Sequence, residues 1–126
     1  MEKAPLPAEV RRFILASIPS VPYLEAILLM RDRPDTLWDA QMIAARLYLP
    51  QGQAVQLLKT LQADGIAAAD DNSGACRYRP SAQQATMLDR VATLYPTHLH
   101  AVTELIHSRM DKRAQHFADA FRWRKD

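Results

Sequence analysis

Residues 39–66, DAQMIAARLYLPQGQAVQLLKTLQADGI, decide how the chain is read. Asp39 precedes a run in which Ile43, Leu47 and Met42 recur at the spacing of one helical face, and a carboxylate there caps the free N–H groups of a first turn. Tyr48-Leu49-Pro50 interrupts the pattern, because proline has no N–H and pushes the residue before it out of the helical region. A second helix follows at once, with Ala54, Leu57, Leu58 and Leu61 inward. Gly65 is placed to stop it in a left-handed conformation, which glycine adopts without steric cost. Two short helices joined by a tight turn are therefore expected.

Downstream, Ile66-Ala67-Ala68-Ala69 and Ala75-Cys76-Arg77-Tyr78-Arg79 enclose the turn-rich Asp70-Asp71-Asn72-Ser73-Gly74. That reads as a β-hairpin, although alanine is a poor strand former. Upstream, Thr36-Leu37-Trp38 is short and β-compatible. Pro7 and Glu9 open a first helix, with Val10, Phe13, Ile14 and Ser17 on one face until Pro19. Ser20 and Pro22 begin a second, continued by Leu24, Ile27, Leu28 and Arg31 as far as Arg33-Pro34. Ser81-Ala82-Gln83-Gln84 has capping-box spacing and starts the longest helical stretch, with a stripe of Met87, Val91, Leu94, Leu99, Val102 and Ile106. Pro96 should kink or split that stretch near Tyr95. A last amphipathic piece carries Met110, Ala114, Phe117 and Phe121 before the basic Arg122-Trp123-Arg124-Lys125.

The 126 residues, 14.3 kDa, suit one domain over 1–126: helices in 7–33, a core in 36–80, and helices in 81–126. Sixteen Lys+Arg against fourteen Asp+Glu leave +2, which excludes holding nucleic acid by bulk charge. The single Cys76 excludes an intramolecular disulfide and a multi-cysteine zinc site. The longest apolar run, Ala26 to Met30, is far too short for a membrane span, and the N-terminus lacks an apolar signal core, so a cytoplasmic protein is expected. Three glycines leave no phosphate-cradling loop, and no nucleophile stands at activating spacing; an enzyme is not expected.

Helix, tight turn, helix and hairpin together are the winged helix-turn-helix arrangement. Residues 39–66 resemble that family closely: Ile43-Ala44 and Leu47 in the first motif helix, Leu49 at the turn, Leu58 and Leu61 on the packing face of the recognition helix, and Asp64-Gly65-Ile66 at its exit. The order of elements resembles the MarR type of bacterial regulator, a mainly α winged helix-turn-helix with a small β-hairpin wing and flanking N- and C-terminal dimerisation helices. The resemblance implies a homodimer that binds double-stranded DNA at a palindromic site, with a recognition helix over about 50–64 and a wing over 66–79. It assigns Gln51, Gln53 and Gln56 to the major groove, and Lys59, Arg77 and Arg79 to phosphates or the adjoining groove. It implies an effector pocket between the dimer helices and the motif, but not which small molecule fills it. No cofactor and no metal are expected.

Charge divides unevenly along the chain. Residues 20–80 hold six basic and seven acidic groups, a balance of −1; residues 1–19 carry +1 and residues 81–126 carry +2. Few phosphates per subunit can then be contacted, so affinity must come from dimerisation and base contacts. A winged-helix module that binds protein rather than a specific DNA site is the alternative.

Three other features have two readings each. His100, Glu104, His107 and Asp111 share a helical stripe that suits a metal, or simply a solvated face; His98 and His116 lie near it. Cys76 beside Arg77 is either a cation-flanked sensor thiol or a small apolar core residue. The basic terminal run with Phe117 and Phe121 is a nucleic-acid or membrane tail, or a solvated helix end with two packing rings.

Overall fold

In the computed structural model, which describes residues 5–70 and 73–108, each break in the chain falls where a particular residue imposes it. Helix α1 spans Ala8–Ser17, and α2 spans Val21–Asp32. Helix α3, Ala40–Leu47, begins at Asp39, whose carboxylate accepts the Met42 N–H at 2.8 Å. It ends because Tyr48 turns left-handed at φ 57° and ψ 48°. For a residue with a Cβ that conformation costs about 1–2 kcal/mol. Helix α4, Gln51–Ala63, starts after Pro50 and stops at Asp64 and Gly65, the latter at φ 77°.

Strands β1, Ala67–Ala69, and β2, Cys76–Tyr78, pair antiparallel, with Ala67 opposite Tyr78, Ala68 opposite Arg77 and Ala69 opposite Cys76. Trp38 adds a third row: it exchanges backbone hydrogen bonds of 2.7 and 2.8 Å with Cys76, so β2 lies in the middle. The alanines thus form a strand because tertiary packing against α4 and pairing with β2 override their weak propensity. Helix α5, Ala82–Leu94, opens with the reciprocal cap: Gln84 N–H to Ser81 Oγ at 3.1 Å, and Ser81 N–H to Gln84 Oε1 at 2.9 Å. Pro96 does split the helical stretch, since a 3-10 turn at Tyr95–Thr97 separates α5 from a further helix, α6, described over residues 99–108.

The chain divides into two compact units. Pro22–Asp89 contains the helix-turn-helix and the hairpin, and buries Tyr23, Leu24, Ile27, Met30, Trp38, Ile43, Leu58, Leu61 and Leu88. The other unit, from residues 1–21 and 90–126, buries Val10, Ile14, Ile18, Val91, Val102 and Ile106 among its described residues, and Arg90 reaches Glu9 at 2.8 Å.

One inward assignment made from periodicity is corrected: Met42 is 36% exposed. Leu47, Met87 and Leu94 are half-buried, and Leu99 in the same stripe as Met87 and Leu94 is 53% exposed. On α3 the neighbouring Ile43 takes the buried place, and on α5 Leu88 is buried beside the half-buried Met87. Among the described residues no single helix is long and apolar enough to cross a membrane.

Candidate nucleic-acid interface

The surface of α4 follows from its core face. Ala54, Leu57, Leu58 and Leu61 are buried against the rest of the unit, so the opposite side must face solvent. Gln53, Gln56 and Lys59 are all exposed there, joined by Thr60, whose hydroxyl donates to the Gln56 carbonyl at 2.9 Å. At 100° per residue these side chains form one stripe; Gln51, also exposed, starts roughly 140° away from Gln56 around the helix. It belongs with the first turn rather than with the stripe. Thirteen residues make α4 about 20 Å long, enough to lie along a major groove.

The far end of α4 is held in three ways. The Tyr23 phenol on α2 donates to the Asp64 carboxylate, and Gln84 Nε2 on α5 donates to the Asp64 carbonyl at 3.0 Å. The Gln62 amide donates to Cys76 Sγ on β2. Burial raises the Tyr23 phenol pKa, and the hydrogen bond to Asp64 and its charge add to the effect. Tyr23, Gln62, Asp64 and Gln84 position the helix. The sequence marks Asp64 at the helix exit and Gln84 in a capping box but not their links to α2 and α4, since the Tyr23–Asp64 bond spans 41 residues and has no local pattern.

On the wing, Arg77 and Arg79 line a shallow open groove with Ala68, Ala69 and Asp70. Alternation along the strand puts both guanidinium-bearing residues on one side, and the small side chain of Ala68, opposite Arg77, leaves a low floor beside them. Arg77 is half-buried and Arg79 exposed. The groove is suited to an anionic oxygen cluster, although Asp70 at its edge subtracts from the positive field. Asp70 is engaged by the Ser73 hydroxyl at 3.2 Å. The stripe on α4 and the wing groove lie in the same compact unit, and α4 packs directly on β1.

The remaining candidates resolve differently. Cys76 is completely buried, and burial raises its thiol pKa while the Gln62 hydrogen bond lowers it less. Arg77 is adjacent in sequence but points to the other side of the strand, so the sensor-thiol reading is corrected to a core residue. His100 pairs with Glu104 at 3.2 Å on an exposed face, and His107 is exposed. Among the described residues no cluster of three such side chains could hold a metal ion, while Asp111 and His116 lie outside them. Met110, Ala114, Phe117, Phe121 and the run Arg122-Trp123-Arg124-Lys125 also lie outside the described residues.

No protein-family model matches the chain, and no curated protein matches it in sequence. Solved structures do. A cysteine-to-serine variant of ZitR from Lactococcus lactis matches with a TM-score of 0.50 at 13% identity, over 100% of this chain and 82% of the other. A double variant of the same protein, its cysteine and histidine both changed to alanine and in apo form, matches with a TM-score of 0.50 at 14% identity, over 98% of this chain and 100% of the other. At that identity the likeness speaks for the fold alone, and the fold is the mainly helical winged helix-turn-helix.

Proposed function

We propose that the protein is a DNA-binding transcriptional regulator of the MarR-like type, reading double-stranded DNA with α4 and the hairpin wing. The observation that carries this reading is the exposed Gln53, Gln56 and Lys59 stripe on the second helix of a helix-turn-helix. It is made of side chains that bond base edges and phosphates, and it lies opposite a wholly apolar packing face. Glutamine offers a paired donor and acceptor, the pattern that matches adenine in the major groove. Gln51 would enter beside the stripe from the first turn of α4. Lys59, Arg77 and Arg79 would take phosphates or the adjoining groove.

In this reading the protein acts as a homodimer on a palindromic site. The helices flanking the motif hold the dimer; Leu15 and Leu99, exposed on α1 and α6, supply apolar surface for a second copy to cover. No catalytic step is required of any residue. The balance of −1 over residues 20–80 favours a second reading, in which the winged helix binds another protein and has no operator.

One titration separates the two. Selection from genomic fragments, followed by binding over a range of salt, should return a palindromic site with a steep salt slope that weakens when Lys59, Arg77 and Arg79 become alanine. Binding no tighter than to random DNA, indifferent to those three substitutions, would establish the interaction module instead. A 14 kDa monomer in sedimentation at micromolar concentration would exclude the two-half-site arrangement.

A further inference from the structure

Tyr48 sits in the turn between α3 and α4 with a left-handed backbone, φ 57° and ψ 48°, and it is the only residue other than glycine with positive φ among the described residues. Glycine or asparagine would hold that turn with less strain, since a side chain with a bulky ring gains nothing from a left-handed position. Burial does not compensate, because the residue is 94% exposed, the most open of the large apolar side chains among the described residues. The turn itself therefore has no use for a tyrosine, and strain of this kind at an open position is a mark of function.

Its location suggests which function. Tyr48 stands three residues before Gln51, the first residue of α4, and two after Arg46, which is exposed in the last turn of α3. In a helix-turn-helix the leading end of the second helix approaches the bases, and the chain just before it meets the flanking sugar-phosphate backbone. A phenol there provides a neutral O–H for a phosphate oxygen and a flat apolar face for a sugar. Tyrosine hydroxyls are among the groups that make such contacts.

We infer that Tyr48 is a DNA-contacting residue, held in a strained left-handed turn so that its ring projects onto the sugar-phosphate backbone beside the leading end of α4. The inference rests on the DNA-binding reading and adds to it a contact of a different kind: uncharged and independent of sequence.

The test uses the full chain, a duplex recovered by genomic-fragment selection and a random duplex of equal length. Tyr48→Asn keeps the left-handed turn, and its Tm should equal or exceed that of the parent protein. Its affinity should fall about three- to tenfold on both duplexes alike, with the salt slope unchanged because no charge is lost. Tyr48→Phe should lose part of that factor. Equal affinity of the parent and Tyr48→Asn for both duplexes would overturn this inference and leave the regulator reading standing. A drop in Tm with Tyr48→Asn would assign the ring to folding and overturn it as well. No DNA binding by the parent protein would overturn both readings together.

Discussion

The Tyr23 phenol on α2 and the Asp64 carboxylate at the exit of α4 are 2.5 Å apart, a hydrogen bond that ties the end of the candidate recognition helix to a helix 41 residues earlier. Tyr23 is 1% exposed, whereas Asp64 is open to solvent. The donor therefore depends on this bond more than the acceptor does. Removing Asp64 takes a charged acceptor from a buried hydroxyl; removing the hydroxyl leaves a carboxylate that water can satisfy.

The asymmetry gives an ordering. Tyr23→Phe should cost about 1–2 kcal/mol and Asp64→Ala more, about 2–3 kcal/mol, read as shifts in urea midpoint at pH 7. The pH dependence has a definite sign. The folded-state pKa of Tyr23 is raised, so the folded protein holds this proton above pH ~10 where the unfolded chain releases it. Stability from this group is complete below that pH and declines as pH rises beyond it. Tyr23→Phe should therefore flatten the alkaline decline between about pH 9.5 and 11; an unaltered slope would show that folding does not raise the Tyr23 pKa. Tyr78, also raised chiefly by burial, keeps part of the decline in that variant.

Cys76 should be chemically silent in the native state. It is buried at the centre of the sheet with its pKa raised, so a disulfide reagent must wait for unfolding. As the chain has a single cysteine, thiol release reports on it alone. Labelling at pH 7 should be at least roughly a hundredfold slower in buffer than in urea beyond the unfolding midpoint. Peroxide should leave any DNA binding unchanged.

The start of α5 is a shared joint. Gln84 closes the reciprocal cap with Ser81 and also holds the Asp64 carbonyl. Ser81→Ala should cost about 1 kcal/mol, and Gln84→Ala more, because it releases the exit of α4 as well. In a double-mutant cycle the two losses should fall short of additivity, since either change alone breaks the cap.

Charged and uncharged residues of the interface should separate by salt. Lys59→Ala should lower the slope of log affinity against log salt by about 0.9, the value for one phosphate. Gln56→Ala should leave the slope unchanged and relax discrimination at one base pair by about 1–3 kcal/mol.

The boundaries were legible because each rests on a residue with local chemistry. Asp39 caps, Gly65 turns left-handed, Ser81 and Gln84 close on each other, and Pro96 splits the helical stretch; none of these depends on distant chain. The choice between adjacent apolar residues was not legible. Periodicity admits Met42 or Ile43, and Met87 or Leu88, and only the opposing surface decides between them. Of the candidate site, the exposed residues of α4 and the wing arginines follow from alternation and amphipathicity. Their supports, Tyr23 and Gln62, are contacts made by tertiary structure, and Tyr48 was hidden because aromatic residues carry no expectation of positive φ.

The bridge between Trp38 and Cys76 has a mechanical consequence. β2 is laced to β1 on one edge and to Trp38 on the other, and Trp38 is the residue before the Asp39 cap of α3. A push on the hairpin is therefore delivered through two backbone hydrogen bonds and one peptide link to the root of the first motif helix. The hairpin is thus a lever arm rooted at the cap of the first motif helix, and the same two hydrogen bonds that hold it fix where α3 begins.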